Sequence, residues 1–279
     1  MIEVVSKFLI ALVLLAVPLG AQVRFHPVDK SVVMQRLESA PYKNSDRQTA
    51  IEKMFAEVGC ETKEQPLTHS KLANVICVLP GETSDEIVVG GHVDHVDKGK
   101  GIVDDWSGSS LLPTLYESLK TLSRRHTIVF VGFTDEEIGL VGSKYYANQL
   151  STEDRSRVKA MVNLECLGMD KTKVWATHSD KPLLDMLAAV ASAMKYELSA
   201  VNVEKVGTAD SESFVAVNIP RITIHTVTQE NLGVLHSIND NMKAVHADDY
   251  YENYMLIAGY LASIDRWLDR PKQMTAGAK

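Results

Sequence analysis

The sequence predicts an α/β sandwich, one sheet covered by helices on both sides. Three observations lead there. Short apolar runs alternate with longer stretches of helical periodicity. The runs are apolar on both faces, as in a sheet buried under two layers. Four of them are followed by a histidine or a carboxylate, and open α/β sheets bind their ligands at the carboxyl ends of strands.

The elements follow in order. Phe8 to Leu19 is an uncharged apolar run, with Lys7 the only basic residue ahead of it and the small residues Gly20 and Ala21 behind. That layout predicts a secretory signal peptide over residues 1–21. The run is short for a membrane span, which wants about 20 apolar residues. Ser45–Val58 has Ile51, Met54, Phe55 and Val58 on one helical face. Asn74–Leu79 and Ile87–Val93 read as strands. Trp106–Leu122 reads as a helix kinked or restarted at Pro113. Thr127–Phe133 is a strand, Leu140–Leu150 a helix, and Ala160–Leu164 and Val174–Ala176 short strands. Leu183–Met194 is a helix, Ile222–His225 a strand, and Tyr250–Leu268 a long amphipathic helix whose tyrosines 250, 251 and 254 read as packing residues. There is no internal repeat. One domain over residues 22–268 and a loose polar tail over 269–279 complete the chain.

Composition narrows the function. The 279 residues are 45% hydrophobic, enough for a substantial core, and carry a net charge of −7. A phosphate-binding surface needs a basic balance, so a nucleic-acid partner is not expected. The three cysteines leave at least one unpaired. One bridge is possible in an exported protein, but Cys77 and Cys166 lie in apolar runs and read first as small core residues.

The chemistry sits after the strands. Ile87–Gly91 is followed by His92-Val93-Asp94, Thr127–Thr134 by Asp135-Glu136-Glu137, Ala160–Leu164 by Glu165, and Ile222–Thr226 by a segment reaching His236. Imidazole and carboxylate are the donors that zinc and its neighbours accept. Residues two apart on a strand face the same way, so the Asp94 carboxylate is expected to hold the ring nitrogen of His92 that faces away from the metal. In the glycine-flanked GKGIVDDWSG loop, Asp104 or Asp105 could bridge two metals, and Asp is equally suited to cap the following helix. Among Asp135, Glu136 and Glu137, one acid would bind metal and a neighbour would serve as general base.

The motifs GGHVDHVDKGKGIVDDWSG, TDEEIGLVGS, NLECLG and LHSINDN, in that order, resemble the superfamily of co-catalytic zinc aminopeptidases, peptidase clan MH, which also holds glutamate carboxypeptidases and glutaminyl cyclases. The resemblance runs from about Leu72 to Leu268. It implies a three-layer sandwich with a mixed, mostly parallel sheet and two divalent metal ions, zinc in the family. It implies Asp104, Glu137 and His236 on one ion, and Asp104, His92 and Glu165 on the other. Asp104 would be the bridging ligand, with Asp105 joined to it by a cis peptide. Glu136 would be the general base. Glu165 stands where most members have Asp. The segment Thr208–Phe214 resembles the substrate-side motif, with Ser211 where His often stands; Asp210, Phe214 and, on the nearby strand, His225 are the candidate pocket residues.

The expected activity is therefore an aminopeptidase acting on peptide or aminoacyl substrates, secreted or periplasmic, with no stable membrane span once the leader is removed. Carboxypeptidase or dipeptidase action, glutaminyl cyclisation, and a non-catalytic binding protein on the same fold are the alternatives. Arg221 and Lys205 are the basic residues near enough in sequence to serve a substrate carboxylate.

Overall fold

The computed structural model describes residues 24–203 and 207–268. The expected leader, the tail from residue 269 and Lys205 lie outside the described residues.

Eight strands form one sheet: β1 (Thr62–Pro66), β2 (Ala73–Leu79), β3 (Glu86–His92), β4 (Thr127–Phe133), β5 (Val158–Leu164), β6 (Lys173–Val174), β7 (Ser199–Ala200) and β8 (Arg221–His225). Their spatial order is β1-β2-β4-β3-β5-β8-β6-β7. The central neighbours β4, β3, β5 and β8 run parallel; β1 pairs antiparallel to β2, β2 to β4 and β6 to β8, and the edge pair β6 and β7 is parallel. The chain leaves β3 to one side for β4 and returns to the other side for β5. A crevice at a strand-order reversal of this kind is where α/β sheets hold ligands, and His92 ends β3 there.

Alternate residues of the central strands face opposite layers. Ile87, Val89, Phe130 and Val162 pack under α1 (Lys30–Glu38), α2 (Asn44–Glu57), α4 (Leu111–Leu119), α7 (Lys181–Met194) and α8 (Ala247–Trp267). Val88, Val129, Val131 and Met161 pack against α5 (Val141–Gln149) and the 3-10 segment Asp210–Val217. Helices thus cover both faces of a mixed, mostly parallel sheet, as expected. Tyr250 and Tyr254 lie on the wholly buried face of α8.

Five local differences stand out. The helix after Trp106 breaks at Ser110, not at Pro113: α3 (Ser107–Ser109) ends there and α4 restarts at Leu111. Pro113 then falls in the first turn of α4, where its missing N–H removes no helical bond. Ala176 opens a 3-10 turn and does not extend β6. β1 escaped notice because its TKEQP sequence is a polar edge strand. The short α6 (Thr152–Arg157) carries no apolar stripe; its signal is the capping box between Ser151 and Asp154. Finally, Cys77 is more than a core residue. It is fully buried on β2 and joined by a disulfide to Cys60, while Cys166 is free and buried.

Candidate metal centre

The carboxyl ends of β3, β4 and β5 and the loop after β8 converge. The imidazole of His92 is wholly buried at the end of β3, with Nε2 3.1 Å from Asp104 Oδ1, 3.6 Å from Glu165 Oε1 and 4.0 Å from Glu136 Oε2. The other oxygen of Asp104 lies 3.1 Å from Nε2 of His236, which is itself 2.9 Å from Glu137 Oε2. Asp104 therefore stands between two histidines, one per carboxylate oxygen. Its peptide to Asp105 is cis. Within this assembly the donor atoms of His92, Asp104 and Glu137, of His92, Asp105 and Glu165, and of Asp104, Glu165 and Cys166 each lie within 4.8 Å of one another.

The site is held by backbone bonds that sequence reading only partly anticipated. His92 Nδ1 faces the main-chain carbonyl of Asp94 at 3.0 Å, whereas the Asp94 carboxylate stands 3.6 Å away. The expected carboxylate–imidazole approach is thus present at ion-pair distance, with the main-chain carbonyl nearer. The Asp94 carboxylate also accepts the N–H groups of Glu136 at 3.0 Å and Glu137 at 3.2 Å, fixing the turn that carries both acids. Asp105 takes the backbone share of its pair: Oδ1 accepts the N–H of Gly108 and Cys166, and Oδ2 that of His92. A Cβ on Gly108 would fall 2.5 Å from that same carboxylate, so only glycine fits at this position of α3.

Two further residues carried no signal by themselves. Asp240, four residues after His236, accepts the N–H of Val103 at 2.7 Å and of Asp104 at 3.3 Å, tying the two loops together. Arg47, buried on α2, donates to the carbonyls of Pro41, Val93, Lys100 and Gly101 and lies 5.3 Å over the Trp106 ring. Its partners are backbone atoms, which leave no trace in a motif. Only the LHSINDN motif hinted at Asp240.

The electrostatics fit a cation. Burial first, and then neighbouring carboxylates, raise the Glu136 carboxyl to about 9 and that of Asp105 well above its usual range. Burial likewise raises Glu137 to about 7 and Asp210 to about 7. Burial works against protonation of His92, but Glu136, Asp104, Asp94 and Glu165 outweigh it and raise it well above its ordinary value. Burial also pushes Asp104 upward, and the hydrogen bonds from His236 and His92 more than reverse that. His236 rises to about 9, chiefly through Asp104. Glu137 Oε1 and both Asp210 oxygens are buried without a hydrogen-bond partner. A buried shell of acids with unpaired oxygens and nitrogen donors at hand is short of positive charge, and a divalent ion supplies it.

The three pocket candidates separate. Asp210 is fully buried within the electrostatic reach of Glu136. Phe214 is a correction: it is fully buried against Phe133 and Tyr146, in the layer beneath the sheet. His225 is another. One ring nitrogen meets the Val201 carbonyl and the other accepts the N–H of Val227, and burial lowers its pKa to about 4. Arg221 is engaged with Glu212.

The family model "Peptidase family M28" matches residues 74–261. A probable leucine aminopeptidase 2 of Aspergillus fumigatus is 25% identical over 228 residues, covering 71% of this chain and 46% of that protein. The chain thus spans about half the length of the curated relatives it matches. Among solved structures, the LapA aminopeptidase of Legionella pneumophila superposes with a TM-score of 0.75 at 19% identity, over 85% of this chain and 72% of that one. A glutaminyl cyclase of Fimbriiglobus ruber superposes with a TM-score of 0.71 at 16% identity, over 86% and 96%. These two likenesses are likenesses of fold.

Proposed function

The chain belongs to peptidase family M28, and from that premise we propose that it is an exported, zinc-dependent aminopeptidase that removes the N-terminal residue of peptides. The observation that carries the reading is Asp104 set between His92 and His236 with a further carboxylate beside each: Glu165 beside His92, Glu137 beside His236. One ion would be held by Asp104, Glu137 and His236, the other by Asp104, His92 and Glu165. When bound, zinc supplies Lewis acidity, polarising a peptide carbonyl and acidifying water.

The chain's own residues do the rest. Glu136 takes a proton from the attacking water and returns it to the leaving amine. Asp94 holds Glu136 and Glu137 by their amides, so that the base and its ligand neighbour keep a fixed relation. The names of the curated relatives support an aminopeptidase rather than a carboxypeptidase or a cyclase. Export is supported by the apolar leader and by the Cys60–Cys77 bridge, since disulfides persist in oxidising compartments. Among the described residues no helix is long and apolar enough to cross a membrane.

Metal analysis paired with a substrate panel tests the reading. The zinc-loaded protein should contain close to two ions per chain and release p-nitroaniline from aminoacyl-p-nitroanilides but not from their N-acetylated forms. Chelation should abolish release and added zinc restore it. Failure to cleave any free aminoacyl substrate, or a pyroglutamate product, would overturn it.

A further inference from the structure

We propose that Cys166 is a thiolate ligand of the ion held by His92 and Glu165, an inference that rests on the metal centre proposed above. Cys166 is the only cysteine outside the disulfide, and it is buried. Its Sγ lies 3.3 Å from Glu165 Oε1, and its donor atom shares one cluster with those of Asp104 and Glu165, all within 4.8 Å. Glu137, nine-tenths buried, offers donors with His92 and Asp104 and keeps Oε1 without a partner.

The surroundings of the thiol favour coordination over simple packing. The backbone of Cys166 is anchored on both sides: its N–H donates to Asp105 Oδ1 at 3.0 Å, and its carbonyl accepts from Thr226 N at 3.2 Å and Thr226 Oγ1 at 2.6 Å. The side chain therefore has a fixed origin beside the ligands. Both carboxylate oxygens of Glu165 are already engaged, Oε2 by the Asn163 amide at 3.2 Å and Oε1 by the thiol. An ion held at Glu165 Oε1 and Asp104 lies within reach of the sulfur, because the three donor atoms fall within 4.8 Å of one another. Binding it as a thiolate releases the thiol proton to solvent, and sulfur is a donor zinc accepts readily. A thiolate also sets a preference: it suits zinc and cobalt, and disfavours manganese and magnesium, which seek oxygen.

Cobalt(II) titration of the metal-free protein decides the matter, because sulfur coordination has an absorption signature independent of turnover. The wild-type protein should show visible d–d bands together with a near-ultraviolet sulfur-to-cobalt charge-transfer band. Cys60 and Cys77 are bridged and cannot contribute it. Cys166→Ser should keep the visible bands, lose the near-ultraviolet band and bind its second ion at least tenfold more weakly, since even an outer-shell partner is worth roughly 10-fold. Visible bands without the near-ultraviolet band in the wild type would refute the thiolate and leave the metal centre standing. No cobalt bound at all would refute the metal centre, and the thiolate with it. Should Cys166→Ser fail to fold, the wild-type spectrum alone gives the answer.

Discussion

The Asp94 carboxylate accepts the backbone N–H of Glu136 at 3.0 Å, one strand end bracing the next. The same carboxylate accepts the N–H of Glu137. Asp94→Ala leaves both amides without their acceptor while preserving every proposed metal ligand. We expect kcat to fall roughly 10- to 100-fold, the usual effect of removing a group that orients ligands, with zinc content retained. Steady-state kinetics beside metal analysis measures both. An unchanged kcat would remove Asp94 from the positioning role.

Glu136→Gln separates binding from proton transfer. The amide keeps the size of the side chain and cannot take a proton from water. Turnover of an aminoacyl-p-nitroanilide should drop roughly 100- to 10,000-fold, the usual worth of a general base, while bound zinc stays the same. Equal turnover in the two proteins would count against the proposed mechanism.

Arg47 is a stability residue lying under the site. Its guanidinium serves the carbonyls of Lys100 and Gly101 in the loop before Asp104, and burial lowers its pKa to about 10. Arg47→Met leaves those carbonyls unpaired among the acids of the site, and should cost about 3 kcal/mol. The denaturant midpoint reads the loss; a shift near zero would show that water replaces the guanidinium at no cost.

The Cys60–Cys77 bridge closes a sequence separation of 17 residues. By chain entropy that is worth roughly 3 kcal/mol. The double variant Cys60→Ser/Cys77→Ser should melt at a lower temperature. Reducing agent should lower the melting temperature of the wild type and leave that of the double variant where it is. Equal melting temperatures for the oxidised wild type and the double variant would show the bridge to be neutral.

Away from the site, Asp265 makes stability depend on pH. Burial pushes its carboxyl upward, but the His126 ring and the amides of Arg125 and His126 more than compensate and hold it below its ordinary value. A carboxyl depressed in the folded state stabilises above its unfolded pKa, about 3.9, and that contribution disappears as pH falls through the folded value. Asp265→Asn should therefore flatten the fall of stability below about pH 4, read from urea midpoints across that range. Parallel curves for the two proteins would exclude Asp265 as the source.

How far the fold was legible follows from what each element buries. β3, β4 and β5 are enclosed on both faces, so their apolar runs announced them within one or two residues. β1 buries little of its TKEQP sequence and gave nothing to read. At the site, His92, Asp104, Glu136, Glu137, Glu165 and His236 stood out because each closes an apolar run or sits in a motif, and the structure brings them together. Arg47 and Asp240 did not stand out, because they act on backbone atoms far along the chain. Asp240 lies 137 residues from the Val103 amide it holds. Phe214 and His225 went astray for a different reason: proximity in sequence to Asp210 or to a strand end does not reveal which layer a side chain enters.

The parallel neighbours β4, β3, β5 and β8 have a consequence for how such a protein can vary. Three of them deliver their chemical groups directly at one rim, and the fourth leads into the loop that carries His236. Spacing between those groups is then a property of the hydrogen-bonded ladder, about 4.8 Å per strand, and not of the peripheral elements. Connections at the far edges can lengthen, shrink or be lost without altering the distance from one rung to the next.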